Sequence, residues 1–254
     1  MRFKMTNSSM KFYESIKGHV FGGNYAVIKS VKEDVSLSEP IYAVNWFNTR
    51  FKWMYDFYNY LAAPSVFKIG GSVFFKGVVT KTLYGSEDDA REVLLVVNYP
   101  SGNNFLKLVE GKFFVLVSIL REIAVKQFSF GFTERLDSSA PNPNGKKRRK
   151  FDPSKSYAIH HFRTNKSIAD FISVIRLVAE SEGVKVDYAG QTSSLLFAQN
   201  RNGEDTQVPC LLDGLVLFEA KSDNQLEEFL MSQGYQSEIA QWGSSFIALL
   251  NRTM

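Results

Sequence analysis

Two short stretches hold the residues whose types and spacing could do chemistry. Ile41–Phe47 reads Ile-Tyr-Ala-Val-Asn-Trp-Phe. The pattern returns 115 residues on, where Ser156–Phe162 reads Ser-Tyr-Ala-Ile-His-His-Phe. The two-residue period of a strand sets Ala43, Asn45 and Phe47 on one face, and Tyr42, Val44 and Trp46 on the other. The same period sets Ala158, His160 and Phe162 on the matching face of the second stretch. Asn45 and His160 therefore hold equivalent places. A polar side chain on an apolar strand needs a partner, which would be a ligand, a water or neighbouring backbone. Aimed into a pocket, either would polarise a carbonyl or exchange a proton, which makes Asn45 and His160 the candidate catalytic residues. A histidine satisfied within the core, or facing solvent, would do neither.

Lys76, Tyr99, Arg121 and Trp46 are the candidate substrate-binding residues. Two cations and a phenol would hold an acidic or phenolic substrate. The same cations at a surface would form salt bridges or lay their stems along apolar neighbours. Trp46, Trp53 and Trp242 would serve as core or as pocket walls. Cys210 has no flanking cation or helix start to activate it and reads as structural. One cysteine and three histidines leave no structural zinc site, and no metal is expected. There is no Gly-rich phosphate loop, no H-E-x-x-H and no G-x-S-x-G.

The 254 residues allow one large domain or two ordinary ones, and 44% hydrophobic with 22% charged residues is a globular mix. A lone cysteine excludes an internal disulfide and suits a reducing, cytoplasmic setting. No apolar run reaches the length of a membrane helix, so no membrane is expected as a partner. Met1 to Met10 carries basic residues but no apolar core, so no secretory signal is read. The net charge of +4 is accounted for by Lys146–Lys150, a run of five cations. The remainder is almost neutral, which gives no strong evidence for nucleic acid as a partner. The run would be a solvated tether, a phosphate-binding segment or a nuclear address.

The elements that must position these residues form two similar series. Residues 1–38 are an N-terminal arm in which Tyr25 to Val31 has strand composition. A first unit, 39–136, opens with the Ile41 strand. A helix follows with Phe51, Met54, Tyr55, Tyr58, Leu61 and Ala62 on one face, bounded by Pro64 or carrying it in a bend. Val73 to Lys81 and Glu92 to Tyr99 are strands, the second apolar enough to be buried on both faces. Ser101 caps a helix, Val115 to Val125 is helical, and Phe128, Phe130 and Phe132 alternate on a last strand. Residues 137–154 are a Pro/Ser/Gly-rich basic linker. A second unit, 155–254, repeats the plan, with Ser167 and Ser222 as caps, and with Val184 to Tyr188 and Ser194 to Gln199 as two strands or as one bent strand broken at Gly190. The order β-α-β-β-α-β in each is the ferredoxin-like split unit.

The first unit resembles the DUF1330-type branch of the dimeric α/β-barrel superfamily. The resemblance runs from residue 41 to about 133. It rests on Ala62-Ala63-Pro64, Gly70-Gly71, Phe75-Lys76-Gly77, Leu83-Tyr84-Gly85, Asn98-Tyr99-Pro100-Ser101 with Phe105, Arg121, and Phe130-Gly131-Phe132. The second unit keeps the layout and lacks most of these residues. The resemblance implies an α+β fold of two ferredoxin-like units whose antiparallel sheets pair within one chain as a dimeric α/β-barrel-like pseudo-dimer. The protein would then be a pseudo-dimeric monomer or a homodimer. It also implies a pocket between sheet and helices, and an Asn on the first strand serves haem-degrading and quinone-forming members. The reading that follows is a cofactor-independent enzyme of monooxygenase, cyclase or isomerase type, with a small apolar or aromatic substrate held in the barrel. The alternative is a non-catalytic small-ligand-binding or scaffolding protein. No cofactor is expected.

Overall fold

Alternation along Ile41–Thr49 does what its sequence dictates. Ala43 and Phe47 face one apolar layer, and Tyr42, Val44 and Trp46 face another. This strand, β1, is followed by α2 (Lys52–Lys68), β2 (Ser72–Tyr84), β3 (Val93–Tyr99), α3 (Gly102–Val109), α4 (Lys112–Ala124) and β4 (Val125–Arg135). The order then recurs as β5 (Ser156–Phe162), α5 (Ile168–Ser181), β6 (Lys185–Phe197), β7 (Gly214–Ala220), α6 (Asp223–Leu230), α7 (Gln233–Ala240) and β8 (Ser245–Arg252). Residues 27–34, here α1, are helical and precede β1. The computed structural model describes residues 27–86, 90–136, 152–164, 167–197, 213–240 and 245–254. Lys146–Lys150, Cys210, Trp242 and most of the N-terminal arm lie outside the described residues.

The eight strands close into one antiparallel barrel in the order β1-β3-β2-β8-β5-β7-β6-β4. Within the first half the order is β4-β1-β3-β2, and within the second β8-β5-β7-β6. Two seams join the halves, β2 with β8 and β4 with β6. Closure leaves no strand edge in need of a partner. The interior is filled by side chains of both halves, among them Val44, Trp46, Phe75, Tyr157, Tyr188 and Phe246. Burying a large side chain of this kind contributes about 2–3 kcal/mol.

Helices cover the outer face of each half. In the first, Ala43 and Phe47 pack with Tyr55 and Tyr58 of α2, Phe105 of α3 and Val117 of α4. In the second, Ala158 and Phe162 pack with Phe171 of α5, Phe229 of α6 and Tyr235 of α7. The caps are where the serines place them. Ser101 Oγ and Ser222 Oγ accept from Asn104 N and Gln225 N, each at 3.2 Å, and Ser167 Oγ accepts from Asp170 N at 3.3 Å.

One local expectation is corrected, and two open alternatives are decided. Tyr25 to Val31 has the composition of a strand, yet residues 27–34 are helical. Val27, Val31 and Val35 recur every fourth residue, and all three are buried in the first-half core. That helical period prevails over the β-branched composition. Pro64 does not end the first helix but lies inside it, exposed, with α2 running on to Lys68. The strand at Gly190 is neither two strands nor broken.

Gly190 is needed for a close approach. A Cβ there would come 2.5 Å from Tyr188 Oη, because the Tyr188 ring lies across it. In the first half a Cβ at Gly77 would come 2.7 Å from the Phe75 ring. The aromatic-x-glycine step thus occurs in both β2 and β6. It sets Lys76 and Ala189 at equivalent positions.

Candidate functional site

The cavity described here lies outside the barrel, between the outer face of the first sheet and α2, α3 and α4. Its volume is about 310 Å³. The barrel interior expected to hold a substrate is packed with side chains instead. The floor of the cavity is a row across three strands. Asn45 of β1 pairs with Leu95 of β3, and Leu95 pairs with Lys76 of β2. Two strand spacings separate the Asn45 and Lys76 backbones by about 10 Å. Phe128 and Phe130 of β4 continue the floor, and Tyr55, Tyr58 and Phe67 of α2 form much of the roof.

Asn45 is half committed. Its amide Nδ2 donates to Ala43 O and Leu95 O, each at 3.3 Å. Its Oδ1 accepts no hydrogen bond among the described residues. The group therefore offers an acceptor, suited to a ligand hydroxyl or N–H, while both amide protons are engaged by backbone. Polarising a carbonyl, one of the two roles read from sequence, would need the donors that the backbone holds.

Lys76 is the cation of the floor. Its Nζ lies 5.7 Å from the centre of the Tyr55 ring and forms no ion pair among the described residues. Burial pulls its pKa below the ordinary lysine value, and Asp56 offsets this in part. Arg121 lines the cavity too, but its charge is already answered. Its Nη2 is 2.5 Å from Glu122 Oε1, and its guanidinium lies 5.3 Å from the Phe128 ring centre. Burial works against the Arg121 charge, yet Glu122 and Tyr58 hold its pKa above the ordinary arginine value.

Tyr99 lines the cavity, and its hydroxyl has no hydrogen-bond partner among the described residues. Burial pushes its pKa up, as it does for Tyr55 and Tyr58, so all three phenols stay protonated. Sequence reading placed Tyr55 and Tyr58 on a buried helix face without seeing a polar role. Two tyrosines three residues apart on one face were the available signal. Met254 also lines the cavity, brought there by β8 from the far end of the chain, and no local pattern announces it. The Arg252 side chain holds it, with Nε donating to Met254 O at 2.8 Å, and the Met254 backbone pairs with that of Lys76 at 3.3 Å in both directions.

Two candidates are not in this site. Trp46 points into the barrel interior, fully buried, with its ring centre 5.2 Å from that of His161. The strand period that aims Asn45 outward aims Trp46 inward. His160 lies on the outer face of the second half, where the matching row is His160–Val216–Ala189. Ala189 stands where Lys76 stands in the first half. His160 Nδ1 is 2.7 Å from Tyr235 Oη and Nε2 is 2.8 Å from Ser245 Oγ, so both ring nitrogens are engaged. Its neighbour His161 faces the interior with neither nitrogen hydrogen-bonded. Burial lowers both pKa values to about 3.

The described residues hold no cluster of three or more His, Cys, Asp or Glu fit to bind a metal ion. Among them, no helix is long and apolar enough to cross a membrane.

No family model matches the sequence, and no curated protein matches it. Several solved structures resemble the fold. A protein named "Putative monooxygenase" from Fusobacterium nucleatum subsp. nucleatum aligns with a TM-score of 0.51 at 10% identity, over 85% of this chain and 94% of that one. A second of that name, from Lactobacillus acidophilus, gives 0.47 at 8% identity, over 84% and 94%. A protein of unknown function from Rhodopseudomonas palustris gives 0.39 at 19% identity, over 42% and 88%. The likeness is one of architecture: this chain has an α+β fold whose eight antiparallel strands close into a barrel of the dimeric α/β-barrel type.

Proposed function

We propose that the protein takes a small, flat, apolar molecule bearing a hydroxyl at each end, one of them ionisable, into the first-half cavity and oxygenates it without a cofactor. The observation that carries this is the row Asn45–Leu95–Lys76 under an aromatic roof. An open acceptor and an unpaired amine rise from strand positions whose backbones are about 10 Å apart, on an otherwise apolar floor that suits a flat ring system. Asn45 Oδ1 anchors one hydroxyl. Lys76, eased toward its neutral form by burial, takes a proton from the other end and then, as ammonium, faces the anion it made. Dioxygen is the co-reactant. An electron-rich phenolate ring position loses C–H and gains C=O, one oxygen atom entering the product and the other leaving as water. The substrate supplies all four electrons. The name of the Fusobacterium nucleatum protein supports the reaction type.

The same reading assigns residues 39–136 and 155–254 to two ferredoxin-like units, the first DUF1330-type and the second a diverged copy, paired as a pseudo-dimer within one chain. Matching strand orders, matching caps at Ser101 and Ser222, and the shared aromatic-x-glycine step support it. Ala189 in place of Lys76, with both His160 nitrogens engaged, supports a division in which one half keeps the site. A non-catalytic binding protein is the second reading. It is favoured by a cavity lining that, among the described residues, has no His, Asp, Glu or Cys.

The test is calorimetry with 2-naphthol and naphthalene, followed by oxygen consumption with a panel of dihydroxynaphthalenes. Asn45→Leu should weaken 2-naphthol about five- to tenfold, the worth of one hydrogen bond, and leave naphthalene unchanged. Binding without oxygen uptake by any diol selects the second reading. No binding of either probe overturns both.

A further inference from the structure

The outer surface of α2 carries an aromatic stripe that the fold does not use. Trp53, Phe57, Tyr60 and Phe67 recur at helical spacing within an arc of about 80°. They are exposed at 67%, 49%, 77% and 44%. On the adjacent helix α4, Phe113 and Leu116 are exposed at 55% and 65%. Soluble surfaces scatter single apolar side chains, but a contiguous aromatic face marks an interaction site.

Charge selects the partner. Arg50 and Lys68 stand at the two ends of α2, and Lys112 opens α4. All three are exposed, and none forms an ion pair among the described residues. The one carboxylate of α2, Asp56, is taken by Lys52 at 2.7 Å. An aromatic stripe between cationic ends matches an anionic lipid surface, with rings at the headgroup boundary and cations at the phosphates. A second copy docked about a two-fold axis would bring cationic ends together, which opposes that pairing. The stripe is also continuous with the site, since Tyr60 and Phe67 line the cavity as well.

We propose that the α2–α4 face docks on anionic membrane surface, so that an apolar ligand passes from the bilayer into the first-half cavity between Tyr60 and Phe67. The passage of ligand rests on the proposed function, whereas the docking rests on the stripe and its charges alone.

The experiment is co-sedimentation of the full chain, without ligand, with vesicles of phosphatidylcholine alone and of phosphatidylcholine with 30% phosphatidylglycerol. Binding is expected to the anionic vesicles and to fall in 0.5 M salt. The double variant Trp53→Ser/Phe57→Ser replaces no cavity-lining residue and should lose about tenfold or more. Lys68→Glu/Lys112→Glu should lose binding while keeping the native circular dichroism. Asn45→Leu should bind vesicles like the parent, which separates this outcome from failure of the cavity reading. No preference for anionic vesicles, or unchanged binding by both double variants, overturns the proposal. So does a dimer in solution that Trp53→Ser/Phe57→Ser converts to monomer, since the face would then be covered by a second copy.

Discussion

His161→Phe should change how the protein answers to acid. The imidazole lies fully buried in the barrel interior beside Trp46 and Phe246, with no hydrogen bond to either nitrogen. Its pKa falls from 6.5 to about 3 through burial and the nearby His160, and that of His160 falls to about 3 through burial. In both cases the folded value lies below the unfolded one. Between pH 6.5 and 3 the unfolded chain therefore binds protons that the native chain refuses, and stability falls as pH falls. Each histidine should lower the unfolding free energy by about 2 kcal/mol between pH 7 and pH 5. Replacing His161 by Phe should remove its share of the drop. It should also raise stability at pH 7 by about 1–3 kcal/mol, because a buried polar ring without partners is replaced by an apolar one. His160→Phe should shrink the drop similarly but cost stability at pH 7, since Tyr235 and Ser245 lose their partner. Urea titrations followed by circular dichroism at pH 7, 6 and 5 measure these differences. An undiminished drop in His161→Phe would refute the burial argument. A loss of stability at pH 7 in that variant would refute the unpaired ring.

Two further outcomes follow from the geometry. Turnover should rise with pH with a midpoint below 10.5, because burial favours the neutral amine of Lys76. Lys76→Met should abolish that limb while still binding naphthalene, as a pH–rate profile and calorimetry would show. Gly190→Ala places a Cβ 2.5 Å from Tyr188 Oη, which must shift, and should break the 2.6 Å contact of that hydroxyl with Thr133 Oγ1. The cost should be about 1–3 kcal/mol, read as a lower urea midpoint.

Sequence alone made the β1 and β5 faces legible because strand period two is strict and the outer face of each strand is apolar from Ala43 to Phe47 and from Ala158 to Phe162, apart from Asn45 and His160. The serine caps were legible for a similar reason, since the cap chemistry is local. Lys76 as the cation of the floor was only half legible. Its residue type drew notice, but its neighbourhood depends on β2 pairing with β3 beside β1, which no local pattern states. His160 and Asn45 looked alike in register and differ in fate, because Tyr235 and Ser245 reach His160 from elements far along the chain. The α1 helix was missed because β-branched composition was weighed above the four-residue spacing of Val27, Val31 and Val35. Met254 was invisible because only barrel closure brings it to the cavity.

That closure also sets an order for synthesis. Both free edges of the first half, β2 and β4, find their partners in the second half, β8 and β6. β8 runs Ser245–Arg252, so a nascent chain carries an open sheet until that strand has been made. Its aggregation hazard is greatest on the ribosome, and agents that bind exposed strand edges would act there rather than on the finished protein. By the same logic, a chain cut between β4 and β5 leaves two pieces with complementary edges, and co-expressed halves should find each other through the two seams without a covalent link.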